Sequence, residues 1–202
     1  MFKLISGLTI GLNVALATAQ TSEGFIYQTN NPIIVNYGDD VGSPWSPGDT
    51  VPADETTAPP QVGFPYGRGG DSEVSNNELV LIMVDSDSET PDGSTATLNL
   101  LHSGLKRDQE LTQTDNYLFY PVTSKKAPEA KYLAPSPEKG SGVHNYTLLL
   151  FEHPEGGFNF PDSYAKFKPN TTEARAGFPL KDFVDDLGLG EPFAGTWLTE
   201  KA

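Results

Sequence analysis

Cysteine is absent from the 202 residues. That excludes zinc–thiolate sites, thiol nucleophiles and disulfides, so the hydrophobic core must hold the fold. Cations are scarce as well, with 13 lysines and arginines against 27 aspartates and glutamates and a net charge of −14. A surface this acidic repels phosphate backbones and anionic bilayers, which argues against nucleic-acid binding and membrane docking. Only three histidines occur. Beyond the first residues no apolar run is long enough to span a bilayer, so no stable membrane insertion is expected.

Proline and glycine, by contrast, are plentiful, at 17 and 20. They imply many turns and long ordered loops, as in a β-rich chain. The N-terminus has the features of a secretory leader. Lys3 supplies a basic start, Leu4 to Leu16 is mostly apolar, and Ala17-Thr18-Ala19 is a small-x-small cleavage site. Residues 1–19 are therefore expected to be a signal peptide and 20–202 a single domain. The protein is expected in the secretory pathway, secreted or luminal. Two glycosylation acceptors follow, Asn145-Tyr146-Thr147 and Asn170-Thr171-Thr172. The second lies in a polar stretch and is expected to be used; the first falls inside a strand, where folding should hide it.

Hydrophobic patterning predicts strands at 33–37, 78–85, 96–102, 117–122, 145–152 and 194–198. The run Glu78–Asp85 is continuously apolar, which marks a strand buried on both faces. Residues 43–60 read as an ordered loop and 67–77 as a polar, glycine-rich one. One segment has helical spacing, with Leu180, Phe183, Val184 and Leu187 on one face, Pro179 in the first turn and Gly188 at the end. The expectation is a mostly antiparallel β-protein with one short helix near the C-terminus.

Three apolar strands carry polar residues at an end: Asp85-Ser86-Asp87, His102 and His144. Residues two apart in a strand share a face, so His144 and Tyr146 point together, as do Asp85 and Asp87 if the backbone stays extended. If these strand ends meet, two imidazoles, two carboxylates and a phenol converge. Such a set binds a small anion, and a carboxylate orients an imidazole for proton transfer. The spacing fits no compact metal motif, so no metal or other cofactor is expected. A serine hydrolase is disfavoured, because the chain has no Gly-x-Ser-x-Gly elbow.

The ordered set of motifs resembles the phosphatidylethanolamine-binding protein family, also known as the Raf-kinase-inhibitor-protein family. The likeness rests on Asp85-Ser86-Asp87, Leu101-His102, the run Tyr132 to Gly140 leading into Gly142-Val143-His144-Asn145-Tyr146, and Arg175 to Thr196. It implies a large antiparallel sheet packed with a smaller one, and a small pocket for an anion or phospholipid headgroup. Asp85, Asp87, His102, Pro137, His144 and Tyr146 are the expected ligand-binding residues. The leader and short C-terminus are similar to those of fungal members. Some of these are associated with maleidride-type polyketide pathways, where they assist the coupling of maleic-anhydride monomers beside enzymes resembling ketosteroid isomerases. On that implication His144, His102 and Asp85 would carry the chemistry. The alternatives are a secreted binder of phospholipid headgroups or small anions, and a serine carboxypeptidase inhibitor.

Overall fold

The computed structural model describes residues 20–37, 45–67, 77–113, 117–153 and 157–202. The expected leader at 1–19 and most of the loop at 67–77 lie outside the described residues. Eight strands form: β1 (Ile34–Asn36), β2 (Gln61–Pro65), β3 (Leu79–Asp85), β4 (Thr97–Arg107), β5 (Thr112–Gln113), β6 (Leu118–Thr123), β7 (Val143–Glu152) and β8 (Ala194–Lys201). They hydrogen-bond in the order β1-β2-β6-β4-β3-β7-β8, with β5 on β6. All the paired strands run antiparallel. Only Lys106 and Arg107, at the far end of β4, pair with β6, so a smaller sheet (β1, β2, β5, β6) hangs from the large one (β4, β3, β7, β8).

β3 shows why these layers form. Every one of its seven residues is buried. Val80, Ile82 and Val84 face one core, while Leu79, Leu81 and Met83 face another. This is the alternation of a pleated strand with apolar cover on both sides. The smaller sheet covers the second face, through Val35, Val62, Phe64 and Val122. Short helices cover the first: a 3-10 helix over Asp162–Phe167, α1 (Thr172–Arg175) and α2 (Leu180–Asp186). Among the described residues no helix is long and apolar enough to cross a membrane.

The expected helix at 180–187 is α2. The 3-10 helix and α1 are additions to the expected single helix. Each is one or two turns, too short for a 3.6-residue period to show in sequence. β4 is the larger correction. It does not end at His102 but continues to Arg107. Two irregularities shape it. Met83 pairs with Leu100 and Val84 with Leu98, so Asn99 is an extra, bulged residue. Further on, the register shifts again near Gly104, whose φ of 66° suits a residue without Cβ.

Candidate functional site

Strand direction places the site. Because β3 and β7 are antiparallel, the C-terminal end of β3 meets the head of β7, and Asp85 pairs with Tyr146. His144, two residues earlier on the same face, projects just past the end of β3. Its Nδ1 lies 2.8 Å from Asp85 Oδ2. The two side chains are 13% and 10% exposed, so the contact is well shielded from water.

The Asp85-Ser86-Asp87 turn is fixed from both sides. Ser86 donates its backbone N–H and its hydroxyl to the Asn145 carbonyl, and the Asn145 N–H donates to Asp87 Oδ2 at 2.9 Å. Asp85 Oδ1 accepts from the Asp87 N–H. Ser88 donates to the Asp85 carbonyl and accepts from the Thr97 N–H. The hydroxyls of Ser86 and Ser88 thus tie this turn to the heads of two neighbouring strands.

Asp85, Asp87, Ser88, His144 and Tyr146 line a pocket of about 410 Å3, together with Thr97, Asn99, Pro137, Glu138, Thr172 and Ala176. The structure therefore brings Asp85, Asp87, Pro137, His144 and Tyr146 together. His102 is not among the lining residues. The reason is topological. β4 begins, rather than ends, beside the end of β3: Thr97 pairs with Asp85, while His102 pairs with Leu81. Four residues along a strand is roughly 13 Å. His102 Nε2 instead lies 3.0 Å from the Lys126 carbonyl. Thr97 and the bulged Asn99 hold the β4 positions at the pocket. The third histidine, His153, closes the other end of β7, where its Nε2 accepts from the Phe158 N–H at 2.7 Å. The apolar-to-polar boundary that drew attention to His102 in the sequence marks no strand end. The bulge that delivers Asn99 has no sequence signature of its own.

The electrostatics are uneven. Burial raises the Asp85 carboxyl above its ordinary range, against the downward pull of the His144 hydrogen bond. Burial, then the Asp85 and Glu200 charges, push the Tyr146 phenol far above its usual value, so it stays a neutral donor. Asp85, Asp87, Glu89 and Glu138 line the pocket, and the described lining residues include no lysine or arginine. Behind Tyr146 lies a second, small cavity of about 10 Å3, bordered also by Tyr37, Thr56 and Glu200. That is space for about one water. Glu200 is 3% exposed, and Oε2 accepts from Thr56 Oγ1 at 3.0 Å.

One further residue organises the pocket and carries no sequence signal. Arg175, in α1, is fully buried. Its Nε donates to the Pro169 carbonyl at 2.8 Å, and Nη1 donates to the carbonyls of Leu98 and Asn99. Nη2 donates to the Lys131 and Lys168 carbonyls and to Asn170 Oδ1. One guanidinium thereby joins the β4 bulge, the loop before Leu133 and the approach to α1, next to the lining residues Asn99, Leu133 and Thr172.

Chemically, the dyad can hold the imidazole with Nδ1–H toward Asp85. Nε2 is then presented to a ligand as an acceptor, or as a second donor once the ring is protonated.

Comparison with known proteins agrees with this architecture. Over 70 residues the chain is 41% identical to phomoidride biosynthesis cluster protein N of Talaromyces stipitatus, covering 35% of this chain and 34% of that one. Over 128 residues it is 32% identical to a protein of the same name from a fungal species, covering 63% and 55%. The chain thus spans about a third of one of these relatives and just over half of the other. In structure it is similar to carboxypeptidase Y inhibitor complexed with its cognate proteinase, with a TM-score of 0.60, 22% identity, and coverage of 87% and 85%. Residues 41–197 match the family model for phosphatidylethanolamine-binding protein, and the chain belongs to that family.

Proposed function

We propose that this protein is a small-molecule-binding member of its family that serves a fungal secondary-metabolite pathway. It holds a carboxylate- or anhydride-bearing metabolite in the pocket at the end of β3 and β7 and assists the coupling of maleic-anhydride monomers. The observation that carries this reading is the shielded His144–Asp85 contact of 2.8 Å on the wall of a 410 Å3 pocket. The similarity to phomoidride cluster proteins supports the pathway class.

Coupling two such monomers requires removing a proton from the alkyl carbon attached to the anhydride's double bond, adding the conjugated enolate so formed to the double bond of the second monomer, and stabilising the charge that develops on oxygen. His144 Nε2 is the group placed to take the proton, while Asp85 fixes the ring through Nδ1 and stabilises the imidazolium. Tyr146, kept neutral by burial, hydrogen-bonds Asp85 and so supports the dyad from behind. The walls hold two reactants in one orientation, which lowers the entropic part of the barrier. A ketosteroid-isomerase-like enzyme is the proposed partner, and the expected leader would place the protein in the secretory pathway.

The test is dimer formation from a maleic-anhydride monomer by the partner enzyme, with and without this protein. Addition of the protein should raise the yield or change the stereochemistry. His144→Ala should abolish that effect, and Asp85→Asn should reduce it about a hundredfold, in the range expected for losing a positioned acid–base group. No effect of the wild-type protein, or an undiminished effect of His144→Ala, refutes the proposal.

A further inference from the structure

Arg175 poses an electrostatic problem. A buried charge is ordinarily paired with an opposite one. Arg175 is fully buried, yet its acceptors are five backbone carbonyls and the Asn170 amide oxygen. Among the described residues no carboxylate forms an ion pair with it. Neutral oxygens satisfy its N–H groups, but they do not cancel a unit charge. The guanidinium remains protonated in any folded protein.

That charge lies behind one particular wall of the pocket. Nη1 lies 3.2 Å from the Leu98 carbonyl and 3.5 Å from that of Asn99. Asn99 lines the pocket, as do Thr172 and Ala176, which stand at the start of α1 and just past its end. The same lining includes Asp87, Glu89 and Glu138. The pocket therefore adjoins both carboxylates and a buried cation.

We infer that Arg175 is the pocket's source of positive charge: through the Asn99–Thr172–Ala176 wall it favours the binding of a carboxylate ligand. The inference rests on the reading of this pocket as the ligand site. Arg175 touches no ligand itself, because its donors are already engaged, so it acts as a positioning residue. Its field acts through a weakly polarisable wall, where one charge is felt far more strongly than at the surface. Four lining carboxylates oppose such a ligand, and the Arg175 charge offsets part of that repulsion.

Deleting Arg175 would also remove a structural clamp, so the decisive variant leaves it in place. Asn170→Asp keeps an oxygen acceptor 3.1 Å from Nη2 and adds the missing negative charge. Asn170→Gln is the uncharged control. Protein from a non-glycosylating host is titrated with succinate by NMR at fixed ionic strength, and thermal melts are recorded in parallel. Asn170→Asp should melt at or above the wild-type temperature and bind succinate about three- to tenfold more weakly, the effect of neutralising one charge behind the wall. Asn170→Gln should bind as the wild type does. A purely structural role for Arg175 predicts equal succinate affinity in Asn170→Asp and wild type, and that result overturns the inference while the pocket reading stands. If wild-type protein does not bind succinate, or if His144→Ala leaves binding intact, the pocket reading falls and the inference with it.

Discussion

Glu200 lies opposite His144 in the β7–β8 register and is almost completely buried, so its carboxylate is costly to the fold. Burial raises its carboxyl above the ordinary glutamate range, and the hydrogen bond from Thr56 offsets only part of this. A carboxyl raised in the folded state binds its proton more tightly there than in the unfolded chain. Its favourable contribution is therefore complete below the unfolded value and is lost as pH rises through the folded one. Glu200→Gln keeps an acceptor for Thr56 and removes the ionisation. The variant should be more stable than wild type at neutral pH, with the difference shrinking as pH falls into the carboxylate range. Urea denaturation at a series of pH values measures this, and a pH-independent difference refutes it. At the residue scale the sequence was legible where alternation governs. His144 and Tyr146 follow from strand parity, and Asp85 from its place at the end of an apolar run. Parity does not say which end of a neighbouring strand lies nearby, which is why His102 was misplaced. Arg175 and Glu200 were illegible because their roles depend on burial by segments distant in sequence.

The helical layer shows what short elements contribute. Phe178, Phe183, Tyr164 and Phe167 form a cluster of edge-on and tilted rings, with Tyr164 and Phe183 centroids 4.9 Å apart at 89°. α2 is seven residues long and could not persist alone in water. It exists because Leu180, Phe183 and Val184 are buried on the face of the large sheet. Phe183→Ala should cost about 3–5 kcal/mol, as expected for emptying a fully buried aromatic site. Urea denaturation should show the loss with little change in slope, and a cost below about 1 kcal/mol would mean that the ring cluster does not anchor α2. The same variant should reach the pocket only indirectly, since α2 contributes no lining residue. Element type was mostly readable here. β3, β7 and α2 have strong periodicity, whereas α1 and the 3-10 helix are shorter than the period that would reveal them. The bulge at Asn99 was hidden because it arises from pairing with β3 rather than from any local preference of the sequence.

At the scale of the whole molecule, the fold gives the two sequons different surroundings, and opposite outcomes are expected of them in a secretory host. Asn145 is embedded in the large sheet. It pairs with Thr199, its N–H is held by Asp87, and its carbonyl accepts from Ser86. The side chain itself is half-buried beside the Asp85–Asp87 turn, so folded product should lack a glycan there. Asn170 is exposed, just ahead of α1. Its Oδ1 accepts from Arg175, while glycosylation would join the sugar to Nδ2, so the modification and the hydrogen bond are compatible. Secretory expression followed by peptide mapping should find Asn170 occupied and Asn145 bare. Asn170→Gln should then remove the glycan mass, whereas Asn145→Gln should leave it unchanged. A glycan on Asn145 in folded protein would mean that its side chain is more open than its half-buried position beside the Asp85–Asp87 turn allows.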